Sequence, residues 1–167
     1  MNADQKKIVL RMIPYGIYVL TAEDGNGGMA AATVNFVTQT SFNPPLVAVG
    51  VKVDSGAYAA LKATSRFALN MLGKEGKGSA FTFFRPADLA DGKLSGHPFR
   101  RGINGAAILE AAVGAAEFSV KTIVTEGDHH IVVGEVTEVH LPAPPAGRPD
   151  AAILEMKDLG ETVFYGG

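Results

Sequence analysis

Cysteine is absent from this 167-residue chain, which excludes disulfides, thiolate nucleophiles and cysteine-ligated metals. Runs of basic residues are also missing, and 15 Lys and Arg against 17 Asp and Glu leave a net charge of −2. A row of phosphates could not be neutralised this way, so no nucleic acid partner is expected. No stretch approaches the roughly 20 apolar residues of a membrane span, and no membrane association is expected. The opening residues MNADQKKIVLRMIPYG lack the apolar core and small-residue cleavage site of a signal peptide, from which a cytoplasmic location is expected. The chain has no phosphate loop, no dinucleotide glycine fingerprint, no Gly-x-Ser-x-Gly elbow and no internal repeat. His97, His129, His130 and His140 lack the helical i, i+4 zinc spacing, so no metal site is expected.

What is present suffices for one buried core. Hydrophobic residues make up 47% and charged residues 19%, the balance of an ordinary globular protein, and the length suits a single domain over residues 1–167. A helix over Ala3–Met12 stops at Pro14 and Gly16, and a strand starts at Ile17. Asp24-Gly25-Asn26-Gly27-Gly28 reads as a hairpin turn, followed by a second arm over Met29–Gln39. Leu46–Val51 reads as a third strand after the break at Asn43-Pro44-Pro45, and Asp54 or Ser55 caps a short helix.

Arg66–Leu72 returns to strand, Ser79–Phe84 to a helical turn, and Arg85–Asn104 to a long irregular region. Glu117–Val124 and Ile131–His140 read as a closing antiparallel pair. Pro142, Pro144, Pro145 and Pro149 then stiffen an arm at about residues 141–167 that can reach a second subunit. Many strands with few helices predict a mainly β, antiparallel, closed barrel carrying a few short helices.

Three places carry candidate chemistry. Lys52, Ser55, Gly56 and Ala57 stand at a strand-to-helix junction, where backbone amides and a cation could hold a phosphate; a capped helix with a surface lysine accounts for the same residues. Thr33, Val34, Asn35, Thr38, Gln39 and Thr40 place small polar groups on one strand, where each hydroxyl or amide needs a partner. A planar polar ligand would satisfy them, as would neighbouring backbone. His129 follows Asp128 in a turn and could be held by that aspartate or serve a site.

Taken in order, Thr33–Ser41, Phe42-Asn43-Pro44-Pro45-Leu46-Val47, Lys52–Tyr58, Phe67–Gly73, Phe83-Phe84-Arg85-Pro86, Gly127-Asp128-His129 and Gly134-Glu135-Val136 resemble the flavin reductase family. The resemblance covers most of the chain. It implies a Greek-key-like, FMN-binding split β-barrel that works as a homodimer and reduces FMN, with FAD as a further option, using NADH or NADPH. Such proteins often feed reduced flavin to a separate monooxygenase. A flavin-binding electron carrier that takes electrons from a protein partner would use the same barrel. Carried onto this sequence, the resemblance places Thr33–Thr40 against the ribityl chain and ring edge. It places Lys52 with Ser55, Gly56 and Ala57 against the phosphate, and His129 near the flavin as the candidate catalytic residue. Two departures stand out: Ala57 replaces a Thr or Ser common in relatives, and Asn35-Phe36 replaces a pair of small hydroxyl residues.

Overall fold

A computed structural model describes residues 1–167. Helix α1 (Ala3–Leu10) begins where the Asn2 side chain accepts the Gln5 amide at 2.9 Å, and it buries none of its residues. Strands β1 (Tyr18–Glu23) and β2 (Met29–Val34) form the expected hairpin. Asp24 Oδ1 accepts the amides of Asn26 and Gly28, while Gly25 and Gly27 take φ of +88° and +87°, conformations open to glycine.

The second arm does not run through to Gln39. It stops at Val34, and after the Asn35-Phe36 link β3 (Val37–Phe42) leaves in a new direction. The buried side chain of Asn35 is tied to the carbonyl of Tyr165 at 3.2 Å, and the Phe36 carbonyl accepts the Gly50 amide at 2.8 Å. Both link residues are thus spent on other parts of the chain.

Strand β4 (Pro45–Lys52) pairs with β3, and helix α2 (Gly56–Thr64) follows with Ser55 Oγ accepting the Tyr58 amide at 3.1 Å. Strand β5 (Arg66–Leu72) and helix α3 (Lys77–Thr82) come next. The region expected to be irregular instead holds β6 (Leu89–Ala90), β7 (Lys93–Leu94) and β8 (His97–Arg101), which with β9 (Ala107–Leu109) make a four-stranded meander. Its turn formers are the hairpin corners: Asp91-Gly92 and Ser95-Gly96 all have positive φ. Long β10 (Ala112–Val124) and β11 (His129–His140) pair antiparallel as expected, and α4 (Pro149–Ala152) and a 3-10 turn (Met156–Leu159) complete the chain.

The main sheet has the order β2-β1-β5-β10-β11-β4-β3, every neighbour antiparallel. Its end strands β2 and β3 do not pair, so the sheet curls without closing and the barrel stays split. The expectation of a closed barrel is corrected on this point: the Asn35-Phe36 link sends β3 to the far edge of β4 instead of back beside β2.

Alternation along β1 divides the core. Leu20 and Ala22 face the interior of the curl with Val49, Val51, Leu61 and Phe118. Ile17 and Val19 face the other side with Leu72, Phe83, Leu154 and Leu159. Within the curl, Phe67 stacks on Phe118 with centroids 4.7 Å apart, and a Cβ on Gly134 would come within 2.8 Å of the Phe67 ring. The residue beneath the stacked pair must therefore be glycine. Beyond the proline-rich stretch, the chain turns back on itself: the Leu154 carbonyl accepts the Ile17 amide and its amide donates to Leu72, joining the ends of β1 and β5.

Candidate functional site

Pairing register decides which side chains share a face. His129 stands opposite Lys52, Ile131 opposite Gly50, Val133 opposite Ala48, and Ala48 in turn opposite Thr38. These residues form the outer face of β3, β4 and β11, with Ala48 as its open floor and Gly50 beneath the Phe36 side chain. Val49, Val51 and Val132 point inward, as does His130, whose Nδ1 meets the hydroxyl of Tyr58 from α2. The adjacent histidines therefore serve opposite faces, as strand geometry requires.

One corner of the outer face gathers most of the chemistry. Asp128 Oδ1 lies 2.9 Å from His129 Nδ1, and Tyr165 Oη lies 2.7 Å from His129 Nε2. A carboxylate only accepts, so in the neutral ring Nδ1 carries the proton and Nε2 accepts from the tyrosine hydroxyl. The hydrogen bond from His129 holds the Asp128 carboxyl below its ordinary range. Burial pushes the Tyr165 hydroxyl up, with Asp128 and Asp54 acting the same way and Lys52 opposing them. Phe36 packs edge-on against His129 and Tyr15, and its side chain covers Gly50.

Beside this corner Lys52 Nζ pairs with Asp54 at 3.1 Å, a hydrogen bond that raises its pKa, on an exposed side chain. Ser55 Oγ donates its proton to the Lys52 carbonyl at 2.8 Å while accepting from the Tyr58 amide, so it has no proton left to offer a phosphate. Gly56 and Ala57 open α2, where amides have no intrahelical acceptor. A Cβ on Gly56 would meet nothing within 4 Å, so space lies open before it. Ala57 is 1% exposed, with its methyl in the core.

The structure thus brings together Asn35, Lys52, Ser55, Gly56, Ala57 and His129, with Thr38 farther along the same face. The others are placed elsewhere. Thr33 Oγ1 donates to the Ala80 carbonyl of α3 at 2.7 Å, and Val34 belongs to the inner core. Gln39 lines a cleft of about 490 Å³ inside the mouth of the curl, with Val37, Leu46, Val47 and Met71. Thr40 is exposed at the irregularity between Gln39 and Ser41. Sequence reasoning missed Tyr165. It lies 36 residues from its histidine partner, and nothing local to either residue announces the contact.

The curled, unclosed seven-stranded sheet with α2 beside it is that of a split β-barrel protein. The chain belongs to the flavin reductase family: the family described as "Flavin reductase like domain" matches residues 10–155. It is 31% identical over 135 residues to a flavin reductase of Pseudomonas putida, covering 81% of this chain and 78% of that protein. An NADH:FMN oxidoreductase of Rhodococcus erythropolis is 30% identical over 145 residues, covering 83% of this chain and 70% of that one. Among solved structures, the styrene monooxygenase flavin reductase of Pseudomonas putida S12 superposes with a TM-score of 0.72 at 26% identity, covering 86% of this chain and 89% of that chain.

Proposed function

We propose that the protein is an NAD(P)H:flavin oxidoreductase that takes FMN on the outer face of β3, β4 and β11, acts as a homodimer, and hands reduced flavin to a separate monooxygenase. The observation that carries this reading is the shared face itself. One register line runs from Thr38 past Ala48 and Gly50 to Lys52 and His129, and it ends at the free amides of Gly56 and Ala57. Lys52 and Thr38 are four pairs apart, about 13 Å along a strand, a span suited to an extended phosphorylated ligand. The donor set fits such a group: two helix amides and the exposed Lys52 ammonium for a phosphate, and for a ring the small residue Ala48 beside the Phe36 side chain that lies over Gly50.

In this reading Lys52 and the two amides bind the phosphate, with the Ser55 cap holding the amides in direction. Phe36 and Ile131 exclude water beside the floor, and His129, oriented by Asp128, presents Nε2 to the nicotinamide side of the site. Bound flavin supplies the ring that accepts hydride from the reduced nicotinamide. The relatives support FMN and NADH in particular, since the Rhodococcus protein is named for both. The solved Pseudomonas reductase supports a monooxygenase partner through its own name. A second copy has apolar surface to cover: Val139, 62% exposed, lines the mouth of the curl, and Phe42, 89% exposed, pairs in register with Pro45 at its rim.

The direct test is the visible spectrum of the purified protein with FMN under anaerobic conditions, before and after NADH and then NADPH. Bleaching identifies the reductase and its donor. Flavin that binds but stays oxidised points to an electron carrier, and no binding removes the proposed function.

A further inference from the structure

Tyr165 satisfies His129 in a way that the rest of the C-terminal segment makes reversible. His129 Nδ1 is committed to Asp128, which leaves one lone pair, on Nε2, and the Tyr165 hydroxyl occupies it at 2.7 Å. The segment that brings Tyr165 there is held by one buried and one half-buried side chain. Asn35 Nδ2 donates to the Tyr165 carbonyl at 3.2 Å, Arg11 Nε donates to the Gly166 carbonyl at 3.3 Å, and the Arg11 guanidinium lies 4.3 Å over the Phe164 ring.

The last fully buried residue comes before this point. Leu154 and Leu159 are 0% and 1% exposed, whereas Phe164 and Tyr165 are 50% and 40% exposed. Gly160, Gly166 and Gly167 flank them at φ of +141°, +116° and +94°, and no helix or strand includes any residue after Leu159. Lifting residues 161–167 would break these hydrogen bonds, take Val163 off the core and uncover Phe36 and the Asn35 amide, but it would break no helix or strand ladder, the character of a segment that opens before the rest.

We propose that Tyr165 is a positioning residue of the site: its hydroxyl holds the acceptor nitrogen of His129 in place of a hydrogen-bond donor on the incoming nicotinamide dinucleotide, which displaces it. The proposal rests on the reading of this corner as the nucleotide site. It follows that the closed segment competes with nucleotide. Removing the hydroxyl, which leaves the ring and its packing on Phe36, must then favour binding.

The test compares wild type with Tyr165→Phe, and with a chain ending at Thr162 as a second variant, by calorimetric titration with oxidised NAD⁺. NAD⁺ does not turn over, so the readout is affinity alone. Release from one net hydrogen bond predicts binding tighter by about two- to tenfold in both variants. The contact itself is read without any ligand from the ring-nitrogen resonances of His129: Nε2 should shift in Tyr165→Phe while Nδ1 remains protonated. Equal or weaker NAD⁺ binding in Tyr165→Phe, or an unmoved Nε2 resonance, overturns the proposal. If FMN is still bleached by NADH in both proteins while NAD⁺ affinity is unchanged, the strap fails and the reductase reading stands. Tighter NAD⁺ binding without flavin bleaching gives the reverse.

Discussion

Glu117 lies fully buried with one carboxylate oxygen 2.6 Å from Nε2 of His140. Arg100 Nη2 lies 2.8 Å from the other ring nitrogen, and a guanidinium only donates, so the neutral His140 ring carries its proton on Nε2 and donates it to Glu117. The amides of Ile103 and Asn104 donate to the same carboxylate at 3.0 and 2.6 Å. A buried charge is tolerable when its lone pairs are met in this way. Here it ties the turn between β8 and β9 to the middle of β10.

The Glu117 carboxyl should make stability depend on pH. Burial acts to raise its pKa, but the Asn104 amide, His140 and the Ile103 amide together outweigh burial and hold it below the usual range. A folded pKa below the unfolded one stabilises above the ordinary glutamate value of about 4.3, and that stabilisation is lost as pH falls through the folded pKa. Glu117→Gln, which turns a donor toward donors, should cost about 2–3 kcal/mol near neutral pH. The gap to wild type should narrow in acid. Urea unfolding at pH 7 and at pH 3, well below the ordinary glutamate value of about 4.3, checks this, and a gap independent of pH would contradict it.

Asn70 fastens the meander to the main sheet. Its side-chain nitrogen donates to the carbonyls of Val19 and Ala107 at 3.2 Å each, and its oxygen accepts the Leu109 amide at 2.8 Å. Thr21 reaches the same Ala107 carbonyl at 2.6 Å. Asn70→Ala leaves the buried Leu109 amide without its acceptor and takes a donor from the Val19 and Ala107 carbonyls, the latter keeping Thr21, and should cost about 2–3 kcal/mol. Hydrogen exchange should locate the damage: amides of Ala107–Leu109 are expected to lose protection more than those of β10–β11. A uniform loss across the sheet would argue against a local fastening.

Lys52 offers a separation of binding from stability. Its side chain meets only Asp54, in an exposed pair that contributes little to folding. Lys52→Ala should therefore leave the unfolding midpoint in place while raising the Kd for FMN by about tenfold. Ser55→Ala removes the cap of α2 and should cost about 1 kcal/mol of stability as well. If Lys52→Ala binds FMN as tightly as wild type, phosphate is not held at this junction.

The sequence was legible where one residue type has one physical use. Gly and Asn at the first turn, Ser55 at the helix start and the alternation of β10 and β11 are local signals, and each marks the element found there. The Asn35-Phe36 break was not legible, because its two residues bond to distant parts of the chain, Phe36 to Gly50 and Asn35 to Tyr165, 130 residues away. The meander was hidden for another reason: two of its strands have only two residues each, too short for any period to show. In the site, the junction at Lys52–Ala57 could be read from local order. Which threonines share its face could not, since the irregularity between Gln39 and Ser41 resets the register of β3.

Ala57 is the position where the hydroxyl that the family resemblance implies and this structure pull apart. A hydroxyl facing the junction would add a phosphate ligand, yet the Ala57 side chain is 1% exposed and packs among the inner core residues. Only its amide can face the space before Gly56. Ala57→Ser should then leave the FMN Kd within about twofold, because the added hydroxyl points into the core. It should also lower stability by about 1 kcal/mol or more through burial of a polar group without a partner. Flavin titration and thermal unfolding of the same variant decide the matter together. A tenfold gain in FMN affinity would mean that the first turn of α2 rotates when phosphate binds, bringing the side chain at 57 out of the core.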